Sequence, residues 1–452
     1  MPACFSRSGM GFCEGVLVKK VTVGLCGLGT VGSGVFNVMA RNAELINARA
    51  GCEVSIIHIG ARRDREGCDT SGVKVNRDIF AVLDDPAVDI VVELIGGTDT
   101  ARDLVLAAIS KGKHVVTANK ALIAHHGAEI FAAAAEKKVA VAYEAAVAGG
   151  IPIIKALRDG LVANRIEWIA GIINGTTNFI LTEMRDKGRA FDDVLKEAQA
   201  LGYAEADPTF DVEGIDAAHK LVILASIAFG MPLEIKRIYT EGITKITQED
   251  IRYAEELGYR IKHLGIARET AEGVELRVNP TLVPEDSLIA KVDGAKNAVM
   301  VMGDAVGSTI YSGAGAGSEP TASAVIADIV DVARAVAHDN HLPVPYMGFV
   351  PSAIRSRTIL PIENIHSAYY LRIVVADKPG VMSEVTQVLS KAGVSIEAII
   401  QKEPHRGETQ VSIVLITNVV QESTINAVIR DIEAKDFVAT PVIKLRVETL
   451  GA

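Results

Sequence analysis

Asp216 and Lys220 carry the clearest catalytic potential in this chain. They stand at i and i+4 of a helical pattern, so they share a face and can pair. Lys220 leads straight into Leu221-Val222-Ile223-Leu224-Ala225, and a lysine at the edge of such a run is open to partial burial. Burial disfavours the ammonium form and lowers its pKa toward neutrality, which suits a general acid/base. The same pair on a solvated face would be an ion pair worth under about 1 kcal/mol, and spacing alone does not choose between the two. Upstream lie Glu205, Asp207 and Asp211. Acids before a largely apolar helix can simply favour its N-terminus through the dipole. His219 is turned about 100° from Lys220 and reads as structural. His125 and His126 read as a helix start without metal-ligand spacing.

A second chemical signal lies near the start. Gly27-Leu28-Gly29-Thr30-Val31-Gly32 follows an apolar strand pattern and opens a helical one. In that setting G-x-G-x-x-G is a dinucleotide fingerprint. The first glycine makes a tight turn, the second admits a pyrophosphate to the backbone, and the third lets helix and strand pack. Free N–H groups at the helix N-terminus then face the phosphates. The second strand ends His58-Ile59-Gly60-Ala61-Arg62-Arg63. An NAD site usually has an acid at this tip. Arg62 and Arg63 favour a 2′-phosphate instead, hence NADP(H) over NAD(H), although the spacing is longer than usual. The fourth strand runs into Thr117-Ala118-Asn119-Lys120, which places Lys120 at the carboxyl end of a sheet strand, beside the nicotinamide.

These residues need a scaffold, and the texture of the chain supplies three. Over residues 21–148, apolar runs at 21–26, 54–59, 90–94, 115–118 and 139–142 alternate with helical patterns at 31–48, 100–111 and 128–137. Such alternation implies βαβ crossovers and a parallel sheet covered on both faces. Residues 149–340 read as an α+β unit. Strands fall at 165–173, 274–283 and 299–302, and helices at 177–187, 191–201 and 212–229. A closing helix at 321–337 returns toward the cofactor unit. Residues 341–367, with Pro343, Pro345, Pro351 and Pro361, read as an ordered but irregular linker.

Residues 368–448 form a third unit. A strand at 371–376 is followed by Pro379 and Gly380, then a helix with Val381, Val385, Val388 and Leu389 on its apolar face, stopped by Gly393. Strands at 394–401 and 409–417 are joined by a turn at 404–407. A second helix carries Ile425, Val428, Ile429 and Ile432, and a last strand alternates Ile443, Leu445 and Val447 with charges. This βαββαβ order is the ferredoxin-like plan.

Composition narrows the function classes. The 452 residues carry 56 acids against 46 bases, for a formal charge of −10, which argues against a nucleic-acid partner. Apolar runs stop far short of the roughly 20 residues a membrane span needs. Cys4, Cys13, Cys26, Cys52 and Cys68 are odd in number and lack ligand or disulfide spacing, which reads as reduced, cytosolic thiols. Residues 1–20 lack a signal-peptide pattern and read as a loosely ordered extension.

Taken in order, the motifs resemble homoserine dehydrogenase in its long form with a C-terminal ACT domain. The resemblance spans Val21 to Val447. It rests on GLGTVG at 27–32, ELIGGT at 93–98, TANKA at 117–121, YEAAVAGGIPII at 143–154, GIINGTTNFIL at 171–181, LGYAEADPTFD at 201–211, DAAHKLVILA at 216–225, SGAGAGSEPTASAV at 312–325 and DKPGVMSEV at 377–385. It implies NAD(P)(H)-dependent interconversion of L-aspartate 4-semialdehyde and L-homoserine, on the branch to threonine, methionine and isoleucine. Lys220 would be the acid/base, Asp216 would orient it, and Glu205 and Asp211 would hold the substrate and its ammonium group. Lys120 would reach both cofactor and substrate. Gly97, Thr98, Ala118, Gly315 and Gly317 would border the cofactor. Glu144, Val147, Gly149 and Ile151 match a segment that binds sodium mainly through backbone carbonyls. Asp377, Gly380 and Val381 would meet an amino-acid effector, with threonine the expected inhibitor, in a homodimer or homotetramer.

Two other readings compete. A non-catalytic NADP- and amino-acid-sensing regulator has no need of the Glu205, Asp216 and Lys220 set. A phosphate-dependent, semialdehyde-forming dehydrogenase needs a cysteine nucleophile, and no cysteine follows Cys68.

Overall fold

In the computed structural model, residues 19–338, 344–403 and 409–451 are described. Cys4, Cys13, the N-terminal extension before residue 19, Pro343 and the 404–407 turn lie outside them. The five apolar runs of the first unit all form parallel strands, and a sixth strand, Lys74–Asn76, which was not anticipated, joins them at one edge. Their order is Lys74–Asn76, Glu53–Gly60, Lys20–Cys26, Ile90–Glu93, His114–Thr117 and Val141–Ala142. Val23, Leu25, Ile90, Val91, Val92, Val115 and Val116 are all fully buried, as a sheet covered on both faces requires. Leu104, Leu122 and Ile130 pack on one face, and Val35, Val325 and Ile329 on the other.

Three helix readings need correction. The expected helix at 31–48 is two, Thr30–Arg41 and Ala43–Ala50, with Asn42 outside helical geometry between them. The helix expected at 128–137 starts at Lys120, because the Asn119 side chain accepts the Leu122 N–H and caps it. His125 and His126 therefore lie inside this helix and not at its start. The helix expected at 212–229 is broken by Gly214, whose φ of +82° is left-handed, leaving Thr209–Val212 and Ile215–Phe229.

The second unit is built on an antiparallel sheet running Gly307–Ala314, Lys296–Gly303, Ile166–Ile172, Tyr259–Glu269 and Val274–Pro284. The strands Tyr259–Glu269 and Gly307–Ala314 and the helix Gln248–Glu256 were not anticipated. Helix Ser318–Ala337 leaves this sheet and packs on the first unit. The Ser318 hydroxyl donates to the Thr30 carbonyl at 2.6 Å, and Arg41 pairs with Glu319 at 2.8 Å.

The third unit has the ferredoxin-like order. Strands Ile443–Val447, His366–Ala376, Gln410–Thr417 and Ile396–Gln401 lie side by side, with helices Val381–Lys391 and Glu422–Glu433 between them in sequence. It is not a separate body on a linker. Ile443–Val447 pairs in parallel with Val274–Pro284 at Thr281–Arg446 and Leu282–Val447, so its sheet continues the second unit's. Buried charges close the joint. Arg268 meets Glu448 at 2.6 Å, and Arg277 also pairs with Glu448. Arg446 reaches Glu241 at 2.8 Å and Glu422 at 2.6 Å. Arg372 meets the fully buried Asp250 at 2.6 Å.

Candidate active site

The first strand is central, flanked by Glu53–Gly60 on one side and Ile90–Glu93 on the other. Sheets of this order bind ligands at the carboxyl ends of their strands, where the order reverses. Residues 27–32 sit at that point. Gly27 has φ +104°, and a Cβ there would lie 2.6 Å from the Leu94 carbonyl oxygen. A Cβ on Gly32 would lie 2.1 Å from the Gly27 carbonyl oxygen. A Cβ on Gly29 would meet nothing within 4 Å. The outer glycines are thus needed by the protein itself. The middle one leaves an open approach to the N-terminus of helix Thr30–Arg41, which no side chain caps. This donor set fits a pyrophosphate. Leu28 is buried and turned inward, Thr30 is exposed and Val31 is half-buried.

The surrounding candidates frame the same end of the sheet. Arg62 and Arg63 follow the second strand, are exposed, and join none of the described ion pairs, whereas Arg77 is held by Asp64 at 2.9 Å. Gly97 has φ +73° with open space around it, and Thr98 precedes helix Asp99–Ser110. Ala118 and Lys120 lie at the end of His114–Thr117. Gly315 and Gly317 form the turn into Ser318–Ala337. A Cβ on Gly149 would lie 2.4 Å from the Gly315 carbonyl oxygen, so these two segments cross in contact.

Four charged groups converge beyond the sheet. The carboxylate of Asp216, on helix Ile215–Phe229, takes Lys220 Nζ at 2.6 Å and Lys120 Nζ at 3.0 Å on its two oxygens. Lys220 Nζ also donates to the Ile173 carbonyl at 2.7 Å. Burial lowers the Lys220 pKa, against the pull of Asp216. Burial pushes Asp216 upward, but Lys220 and Lys120 outweigh it and hold the carboxyl well below the usual range. Asp211 is raised by burial and by Asp216.

Sequence reasoning missed Asn174. Its Nδ2 donates to Asp211 Oδ1 at 2.8 Å and to Asp216 Oδ2 at 2.9 Å, holding two carboxylates together. Its Oδ1 accepts the Thr177 N–H and caps helix Gly175–Lys187. The capping pattern was visible in N-G-T-T, but the reach of the amide to two distant acids was not. His219 lies on the same helix as Lys220. It is buried against Phe210, its Nε2 lies 3.3 Å from His125 Nε2, and burial with His125 pushes its pKa down to about 4.

Glu205 stands apart. Its side chain is exposed, and no described hydrogen bond or ion pair links its carboxylate to Lys220, Asp216 or Asp211. Glu144 is buried, and its carboxylate accepts the N–H groups of Ile154 at 2.9 Å and Lys155 at 2.8 Å. Each carboxylate oxygen takes one donor and keeps a second lone pair. The Glu144 and Ile151 carbonyls each accept one backbone N–H and keep a second lone pair, and no described hydrogen bond uses the Val147 and Gly149 carbonyls. Among the described residues no cluster of three or more His, Cys, Asp or Glu could hold a metal ion. The segment thus offers backbone carbonyl oxygens with the buried Glu144 carboxylate beside them, oxygen donors of the kind a sodium ion takes. In the third unit, Gly380 (φ +95°) begins helix Val381–Lys391 without a side-chain cap, Asp377 N–H donates to the Thr409 carbonyl, and Val381 is buried. Among the described residues no helix is long and apolar enough to cross a membrane.

A dinucleotide-binding sheet that opens toward a buried lysine–carboxylate cluster defines a nicotinamide-dependent oxidoreductase. The homoserine dehydrogenase family signature matches residues 152–330, the NAD-binding domain of homoserine dehydrogenase matches 27–144, and the ACT domain matches 369–437. The chain is 62% identical to a homoserine dehydrogenase of Pseudomonas aeruginosa over 96% of its own length and 100% of the relative's. It superposes on the crystal structure of a homoserine dehydrogenase from Thiobacillus denitrificans with TM-score 0.91 and 60% identity, covering 96% of this chain and 99% of that one. A hyperthermophilic archaeal homoserine dehydrogenase in complex with NADPH matches at TM-score 0.59 and 28% identity, covering 70% of this chain and 98% of that one. The chain belongs to the homoserine dehydrogenase family.

Proposed function

We propose that this chain interconverts L-aspartate 4-semialdehyde and L-homoserine, with NADP(H) preferred over NAD(H). The observation that carries the reading is Lys220, buried beside Asp216 and lowered in pKa, on the helix that faces the dinucleotide crevice. When bound, the nicotinamide supplies or accepts the hydride. Lys220 gives a proton to the substrate oxygen in reduction and takes one in oxidation. Asp216 orients it, and Lys120, held to the same carboxylate, adds positive charge toward that oxygen. Asp211 takes the substrate ammonium, and Glu205 is assigned to the substrate by family resemblance alone. Arg62 and Arg63, exposed and in no described ion pair, support a 2′-phosphate, as does the archaeal relative solved with NADPH.

We further assign threonine as inhibitor at 377–381, a sodium ion to the carbonyls of 144–151, and a homo-oligomer in the cytoplasm. Support for the first is the uncapped helix N-terminus beside Asp377 in an ACT-type module. NADPH oxidation with aspartate 4-semialdehyde, with and without millimolar threonine, tests the reaction and the threonine assignment. Turnover that threonine leaves unchanged would make the third unit an assembly module only. NADPH binding without turnover would favour the sensing regulator.

A further inference from the structure

Glu93 ends the strand Ile90–Glu93, is fully buried, and joins no described ion pair. Its Oε1 accepts the backbone N–H of Ile95 at 2.9 Å and of Gly96 at 3.2 Å. Its Oε2 accepts the Thr117 hydroxyl at 2.6 Å. The Thr117 oxygen in turn accepts the Asn119 N–H at 3.0 Å. Asn119 then works in two directions. Its Nδ2 donates to the Gly97 carbonyl at 2.6 Å, and its Oδ1 accepts the Leu122 N–H at 3.1 Å, capping the helix that opens with Lys120. One carboxylate therefore ties together two loops from neighbouring strand ends. One loop bears Gly97 and Thr98, and the other bears Ala118 and Lys120.

A buried carboxylate without a cation is costly unless its lone pairs are filled, and an apolar residue could fill the same space more cheaply. Burial does raise the Glu93 pKa, against the pull of Thr117 and the two backbone donors. A residue with that cost is explained by what it holds. We propose that Glu93 is a positioning residue for the reaction, locking the Gly97–Thr98 turn and Lys120 into the walls of the cofactor crevice. This rests on the crevice being the NADP(H) site.

The test uses the full-length enzyme and reads NADPH dissociation constants by fluorescence, kcat, the KM for semialdehyde and the melting temperature. Wild type is measured first, and failure to bind NADPH overturns the crevice reading and this proposal together. Given binding, Glu93→Gln and Thr117→Val should each weaken NADPH binding about tenfold and lower kcat, with the KM for semialdehyde within about twofold. The double variant should be little worse than either single one, because the two residues act through one relay. Thr117→Ser, which keeps the hydroxyl, should restore near wild-type binding. If Glu93→Gln does not fold, the Thr117→Val and Thr117→Ser pair decides. Folded variants that bind NADPH and turn over within twofold of wild type, or losses that simply add, would overturn the proposal.

Discussion

Asn174 shows how few atoms hold the proposed catalytic cluster in register. Without its amide, Asp211 and Asp216 would face each other with no shared donor, and the Asp216 carboxylate would keep only the two lysines. Asn174→Ala should cut kcat/KM by roughly 10- to 100-fold, while Asn174→Asp, which adds a third acid, should cut it further. Steady-state kinetics on folded variants checks the order. In the proposed reaction Lys220 sets the pH response. Its pKa is lowered by burial, so the cationic form needed for reduction is lost, as pH rises, earlier than for an ordinary lysine. The neutral form needed for oxidation grows over the same window. Homoserine oxidation should therefore rise with pH as semialdehyde reduction falls, and a flat oxidation profile would count against the role.

At the level of elements, the three glycines of the fingerprint separate folding from binding. Gly29→Ala puts a methyl into open space, so the melting temperature should hold within about 1 °C while NADPH affinity falls at least about tenfold. Gly32→Ala drives a methyl onto the Gly27 carbonyl and should destabilise the fold itself. Thermal melts paired with NADPH titration distinguish the two. Helix Ile215–Phe229 carries a pH signature of its own. His219, and His263 behind Gly214, are buried and lowered to about 4. Between about pH 6.5 and 4 the unfolded chain binds these protons and the folded one does not. Stability should fall as pH drops through that window, by roughly 3 kcal/mol per histidine at the limit, and acid-range denaturation would show it. The first sheet and the αβ alternation were legible because fully apolar runs between helical patterns have few other solutions. The helix starting at Lys120 was not, because its start is set by the Asn119 cap while its first two turns carry Lys120, His125 and His126. Gly214 looked like a residue inside a helix because the apolar pattern continues through it. The Asp216–Lys220 pair was legible from i,i+4 spacing, whereas Asn174 was not, since its partners lie 37 and 42 residues away.

For the whole molecule, the continuous sheet is the property that composition and spacing could not reveal. Two residue pairs join the units, but buried charges on both sides depend on the joint. Arg372→Ala would leave Asp250 buried without its cation, and should destabilise by roughly 3–5 kcal/mol. The melt should remain a single transition, lowered across all three units. Loss confined to a separate third-unit transition would mean that the units are energetically independent. The central claim is a reaction, and the most direct measurement is NADPH oxidation with L-aspartate 4-semialdehyde by wild type and Lys220→Ala, with NADPH binding measured alongside. Rapid oxidation by wild type is predicted, with kcat about 10²- to 10⁴-fold lower in Lys220→Ala and NADPH binding retained. A Lys220→Ala enzyme as active as wild type, or a wild type that binds NADPH and leaves the semialdehyde untouched, would contradict it.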